Sequence, residues 1–175
     1  IGPRQEMGVR TLFNQLGPLT NPAGAPNQVL GVFSEQWVEP LARVLQNLGS
    51  EHVLVVHAED GLDEISIGSA TRVAELKDGG ITVYTVTPEE FGLERSDLSA
   101  IAVSDAGQSL AMIIEVLDNR PGPARDIVVM NAGAAIYAAG VADSLSDGID
   151  QAGEALANGS ARETLASLIR VTNAF

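Results

Sequence analysis

Two adjacent carboxylates, Asp63 and Glu64, close the run Asp60-Gly61-Leu62-Asp63-Glu64. Acidic side chains placed together on a loop can converge on one cation or hold one each of a pair. Magnesium takes one or two protein carboxylates and completes its octahedron with water and substrate phosphate oxygens. The run could be a magnesium–diphosphate site, although on residue types alone a solvated acidic loop is the better fit. Its position narrows the balance against chemistry without reversing it. It follows directly on His52–His57, HVLVVH, a β-branched run that reads as a central strand. In open α/β sheets, ligands bind beyond the carboxyl ends of such strands.

Three further groups could take part. The segment Leu16–Pro22, LGPLTNP, combines Gly and Pro. A loop of that kind can approach a planar ligand closely, since Gly has no side chain and Pro is rigid; it also suits a plain structural turn. Arg4, with Arg10 six residues on, could hold a carboxylate through its guanidinium fork, in a chain with only 10 Lys+Arg; it also fits an ordinary exposed Arg. His52 and His57 flank the apolar strand. His57 lies beside the acidic run, where it could act as a base or orient a ligand, and it also fits a satisfied histidine at a strand end.

The elements that must position these groups follow from pattern and punctuation. Gly17–Gln28 is too rich in Pro and Gly for a helix and reads as a shaped loop. Gln28–Phe33 suits a strand. Ser34 is placed to cap a helix from Glu35 to Leu48, which Gly49 stops. Ile65–Ile67, Thr71–Leu76 and Ile81–Val86 read as three short strands, the last two joined through Asp78-Gly79-Gly80 as a hairpin. Thr87–Leu93 has the form of a capped turn with Pro at the first helical position. Helices are expected over Asp105–Leu117, Ala124–Ala139, Ser144–Asn158 and Ala161–Asn173. The result is an α/β fold, a layered central β-sheet flanked by helices with a helical C-terminal tail.

Composition removes several classes of function. The net charge is −13, which repels phosphate backbones and anionic lipid, so neither nucleic acid nor a membrane surface is an expected partner. A small anionic substrate remains open if placed cations or a metal hold it. The chain has no Cys, which excludes disulfides, zinc–thiolate sites and a thiol nucleophile, and fits a cytoplasmic setting. The run Ile127–Ala142 is interrupted by Asn131 and is too short for a membrane span of roughly 20 residues; it reads as a buried helix. The first residues, IGPRQEMGVR, carry no apolar signal region and no initiator Met, and read as the middle of a longer protein.

The string from Arg4 through Gly8-Val9-Arg10-Thr11-Leu12-Phe13-Asn14-Gln15 to Leu16-Gly17-Pro18-Leu19-Thr20-Asn21-Pro22 closely resembles the signature of the anthranilate phosphoribosyltransferase family. The resemblance continues through Leu48–His52, Val55–His57, Asp60–Ser66, Val73–Leu76, Pro88–Gly92, Gly122–Asp126 and Asn131-Ala132. These motifs are spaced in the family order over nearly the whole chain.

The resemblance implies a part of the nucleoside phosphorylase/phosphoribosyltransferase-like fold. It implies transfer of a 5-phosphoribosyl group from phosphoribosyl pyrophosphate to anthranilate in tryptophan biosynthesis, with Mg2+ as cofactor. By the same carry-over, Arg4 contacts the anthranilate carboxylate, Gly17 and Pro18 lie against its ring, and Asp63 and Glu64 bind magnesium beside the diphosphate. No residue is assigned a catalytic role; Arg10, Asn14 and His57 are expected to be structural or to support the site. Residues 1–175 correspond to the C-terminal part of the family's α/β domain. The helical domain through which members form homodimers, and the Gly-rich, NxSxxS and KHGN donor-site segments, are expected upstream. A pyrimidine nucleoside phosphorylase-like enzyme and a nucleic-acid-binding homologue are the rival readings.

Overall fold

The strand His52–Ala58 (β2) is buried along almost its whole length because both of its faces are covered. A computed structural model describes residues 17–174 of the chain. In it β2 pairs in parallel with Asn27–Gly31 (β1), from Asn27 opposite His52 to Gly31 opposite Val56. On its other side β2 pairs antiparallel with Thr71–Lys77 (β3), and β3 pairs antiparallel with Gly80–Val86 (β4). The sheet order is β1-β2-β3-β4.

Alternation along β2 divides the core in two. Val53 and Val55 face the helix Val38–Asn47 (α1) and join Leu41, Ala42 and Leu45 in one cluster. Leu54 and Val56 face the opposite way, into a larger cluster with Ile127, Met130 and Ala134 of the helix Pro123–Ala138 (α3). Full burial of an aliphatic side chain stabilises a fold by about 1.5–3 kcal/mol. Burial on two faces explains why this strand lacks the polar alternation of a half-exposed one.

Around this sheet lie the helices Ala106–Leu117 (α2), Leu145–Ala157 (α4) and Ser160–Thr172 (α5). Capping residues start two of them. The Asp105 carboxylate accepts the Gln108 N–H at 2.9 Å and the Ser144 hydroxyl accepts the Asp147 N–H at 3.1 Å, each meeting an amide that the first turn leaves unpaired. The axes of α3 and α4 approach closely at Gly133 and Gly148. A β-carbon on Gly133 would meet the Ile149 Cα at 2.5 Å, and one on Gly148 would collide with the Gly133 carbonyl. Among its own residues α2 buries only Val116, and Leu110 and Ile113 are exposed. No helix among the described residues is long and apolar enough to cross a membrane.

The layered α/β fold and its helical tail are as the sequence predicts, and the boundaries differ in instructive places. The hairpin turn uses two left-handed residues, Asp78 and Gly79, with φ of 51° and 75°, while Gly80 already pairs with Lys77 in the ladder. Ser34 occupies the cap position, yet its side chain makes no cap bond. The first turn is instead a 3-10 segment, Glu35–Trp37, leading into α1. A further 3-10 turn, Leu98–Ile101, is capped by the Asp97 carboxylate on the Ser99 N–H.

The largest departure is Ile65–Ile67, which is not a strand. Its backbone groups bond to side chains and, at the Ile67 carbonyl, to the Ser96 N–H at 2.9 Å, rather than to a neighbouring strand. Ile65 is held through both its N–H and its C=O by Asn131, and the Ser66 N–H donates to Thr71 Oγ1 at 3.0 Å. Ile65 and Ile67 are buried, so the apolar alternation is real, but it plugs a loop into the core.

Candidate active site

The loop 59–70 springs from the C-terminal end of β2 and returns at β3. Its shape comes from a set of internal bonds. The Glu59 N–H donates to the Ala70 carbonyl at 2.9 Å and the Asp60 N–H to Ser69 Oγ at 3.1 Å. One Asp60 carboxylate oxygen accepts the Leu62 N–H at 3.2 Å; the other accepts the Ser66 hydroxyl at 2.5 Å. Ser66 Oγ in turn accepts the Gly68 N–H at 2.8 Å. Asp60, one of the acids of the sequence motif, is therefore occupied in holding the loop together.

Asp63 and Glu64 are placed differently. Both are exposed, and neither side chain has a hydrogen-bond or ion-pair partner among the described residues. Their backbone is nonetheless fixed. The Asp63 carbonyl packs against Gly31 at the end of β1, so closely that a β-carbon at position 31 would overlap its oxygen. Immediately after Glu64, the Ile65 N–H donates to Asn131 Oδ1 at 2.9 Å, and Asn131 Nδ2 donates to the Ile65 carbonyl at 2.8 Å.

The donor chemistry of this pair fits magnesium. Two carboxylates without partners among the described residues stand exposed on an acidic loop, free to take a hard cation through oxygen. Among the described residues no group of three or more His, Asp or Glu side chains converges into a closed metal cage. Magnesium needs none, because it keeps several waters and takes phosphate oxygens from a ligand.

Pro18 reaches the same end of the sheet. It lines a small cavity of about 50 Å3 with Leu30, Gly31, Val32, Phe33, Trp37 and Leu41. Gly31 thus touches the Asp63 backbone and also borders the space beside Pro18. Gly17 is exposed and opens the turn in which the Thr20 N–H approaches its carbonyl at 3.4 Å. The Trp37 indole N–H, in the same wall, is buried without a hydrogen-bond partner. Arg4, Arg10 and Asn14 lie outside the described residues.

The two histidines are bonded within the scaffold. His57 Nδ1 is 2.7 Å from the Val32 carbonyl and ties β2 to the chain leaving β1. His52 is at the opposite end of the sheet, where its Nε2 lies 3.0 Å from Glu75 Oε1. Glu75 also accepts the Tyr137 hydroxyl at 2.6 Å and the Tyr84 hydroxyl at 3.0 Å. Burial, with the Glu75 carboxylate next, pushes the Tyr84 phenol well above its ordinary range; the same two causes raise Tyr137, against the opposing pull of Lys77. Nearer the loop, Arg95 grips Glu89 through two bonds of 2.9 and 3.2 Å and lowers its carboxyl to about 2.

Of the residues that sequence reasoning selected, Pro18 and the Asp63 backbone both border Gly31, while Glu64 lines a separate cavity with Leu62 and Ile127; it missed Gly31 and the part played by Asn131. The signal for Asn131 was present, since a lone Asn inside an apolar helical run must find partners when buried. Gly31 carried no local sign, because its need for glycine comes from a loop 32 positions on.

Residues 1–162 match the family described as Glycosyl transferase family, a/b domain. The chain is 69% identical over 172 residues to the anthranilate phosphoribosyltransferase of Thioalkalivibrio sulfidiphilus, covering 98% of this chain and 51% of that protein. It is 64% identical over 175 residues to that of Methylococcus capsulatus, again covering 51% of the relative. Among solved structures, anthranilate phosphoribosyltransferase from Thermus thermophilus superposes with a TM-score of 0.85 at 46% identity, over 94% of this chain and 48% of that one. The Saccharomyces cerevisiae enzyme in complex with PRPP and Mg gives 0.87 at 28% identity, over 98% of this chain and 50% of that one. The chain thus spans about half the length of the curated relatives it matches. On the match over residues 1–162, it belongs to the glycosyl transferase family through that family's a/b domain.

Proposed function

We infer that the intact protein transfers the 5-phosphoribosyl group from phosphoribosyl pyrophosphate to the amino group of anthranilate. The products are N-(5-phosphoribosyl)anthranilate and diphosphate, in tryptophan biosynthesis. The observation that carries this reading is the exposed Asp63–Glu64 pair, without side-chain partners among the described residues, on a loop whose Asp63 carbonyl packs on Gly31. It is supported by 69% identity to an enzyme of that activity, and by related yeast structures in complex with PRPP and Mg and with 4-fluoroanthranilate.

In this reading Asp63 and Glu64 hold the cation beside the diphosphate. Magnesium bound there would supply positive charge against the departing diphosphate. Arg4 fixes anthranilate by its carboxylate, and Gly17 and Pro18 offer a flat, rigid surface to its ring. An aromatic amine is already a usable nucleophile, so the residues act by positioning and need supply no strong base. The intact protein works as a cytoplasmic homodimer, paired through a helical domain outside this stretch. The charge of −13 supports the absence of a nucleic-acid or membrane partner.

The test is an assay of the intact protein, following loss of anthranilate fluorescence with phosphoribosyl pyrophosphate, with and without magnesium. Magnesium-dependent consumption is the expected result. No consumption by a folded, complete protein would overturn the reading.

A further inference from the structure

Asn131 sits in the middle of α3, in a stretch otherwise apolar. Its carboxamide is fully engaged. Oδ1 accepts the Ile65 N–H at 2.9 Å, and Nδ2 donates to the Ile65 carbonyl at 2.8 Å and to the Ile127 carbonyl of its own helix at 3.0 Å. Two carbonyls around Nδ2 and one N–H at Oδ1 permit only one orientation of the amide. The bond to Ile127 ties the amide to its own helix.

The bonds to Ile65 reproduce what a neighbouring strand would give, reciprocal donation to and from one residue. They are made by a side chain to the residue that directly follows Glu64. The peptide linking Glu64 to Ile65 is held at its N–H, and the next peptide at its C=O. The Ile65 side chain, 1% exposed, is set in the core below. On the other side, the carbonyl of the Asp63–Glu64 peptide rests on Gly31. The backbone of the acidic pair is therefore gripped both between its two residues and after them, while both carboxylates face solvent without partners. Buried Ile65 needs its backbone groups paired in any case, but a purely structural loop gains nothing from a fixed direction for two exposed acids. A pair that must meet a cation does, because the residues behind metal ligands set their orientation.

We propose that Asn131 is a positioning residue which, through Ile65 and opposite Gly31, aims the Asp63–Glu64 pair at its cation. The inference rests on the reading of that pair as a magnesium site. Asn is the side chain suited to the task. Asp has the same shape and keeps the acceptor for the Ile65 N–H, but it places a carboxylate against the Ile65 and Ile127 carbonyls. Ala removes all three bonds.

The experiment uses the intact protein with saturating phosphoribosyl pyrophosphate and Mn2+ as a paramagnetic stand-in for Mg2+. Binding of the metal is followed by electron paramagnetic resonance. Asn131→Ala and Asn131→Asp are compared with an Asp63→Asn, Glu64→Gln double variant. The expected result is Mn2+ binding weakened about tenfold or more in both Asn131 variants, a similar rise in the Mg2+ concentration for half-maximal activity, and a KM for anthranilate within about twofold of the parent. A merely structural role would not separate metal from acceptor in this way. Unchanged Mn2+ binding in a folded Asn131→Asp protein, with weakened binding in the double variant, overturns the proposal and leaves the magnesium site standing. An equal rise in anthranilate KM overturns it too, as does failure of Asn131→Asp to fold, which would make the residue part of the core. Unchanged binding in the double variant instead removes the site reading itself.

Discussion

Gly31 and Asp63, far apart in sequence, meet backbone to backbone, the Asp63 carbonyl occupying the space that a side chain at position 31 would need. The contact joins the end of β1 to the loop that carries both candidate metal ligands. Gly31→Ala must push one of them aside. The expected outcome is a loss of stability of about 1–3 kcal/mol, the usual range for overpacking, read as a lower urea midpoint. In the same protein the magnesium requirement should rise. A variant with parental stability and parental magnesium response would show that the loop yields without cost.

Gly148 presents the same steric problem away from the site. A β-carbon there would collide with the Gly133 carbonyl, where α3 and α4 cross at close range. Gly148→Ala should destabilise the intact protein by about 1–3 kcal/mol or force the helices apart. The magnesium dependence of the folded fraction should stay at the parental value, which equilibrium unfolding and a magnesium titration together check.

Arg4→Ala addresses the acceptor. If its guanidinium holds the anthranilate carboxylate, the variant should raise the KM for anthranilate at least tenfold, since a charge-assisted hydrogen bond contributes about 1.5–3 kcal/mol. The KM for phosphoribosyl pyrophosphate should stay within about twofold. Equal rises for the two substrates, or none, would remove Arg4 from the acceptor site.

Tyr84 and Tyr137 give the fold a sensitivity to alkali. Both donate to Glu75, and burial holds both phenols protonated above their ordinary range near 10. A group whose folded pKa is raised contributes its stability fully below the unfolded pKa. That contribution is lost as pH climbs through the folded one. Thermal stability should therefore hold up to about pH 9.5 and fall above pH 10. Tyr84→Phe should start lower, by about 1.5–3 kcal/mol for a bond lost to a charged group, and fall less steeply. Melting curves across this range, with tyrosine ring carbons followed by NMR, test both parts.

Much of the scaffold was legible because local rules and burial agree. The run HVLVVH became the central strand, Asp105 and Ser144 cap helices as their types suggest, and Asp78-Gly79 makes the hairpin turn. The misreadings arose where a distant residue supplies the bonds. Ile65–Ile67 has strand-like alternation, but its partners are Asn131 and Thr71 rather than a strand. Ser34 is a good cap type whose side chain goes unused because the chain enters α1 through a 3-10 turn. At the site, Asp63 and Glu64 stood out by adjacency and Pro18 by its loop. Gly31 depends on a crossing that no local pattern encodes.

The loop 59–70 hangs between β2 and β3 chiefly by side chains: Asp60, Ser66, Ser69, Thr71 and Asn131. A strand inherits its place from the ladder, and moving it means rebuilding the sheet. This loop can be re-aimed by exchanging one tether at a time. The ladder bonds between β2 and β3 are not made by these side chains, so the aim of the loop and the pairing of the sheet are set by separate groups.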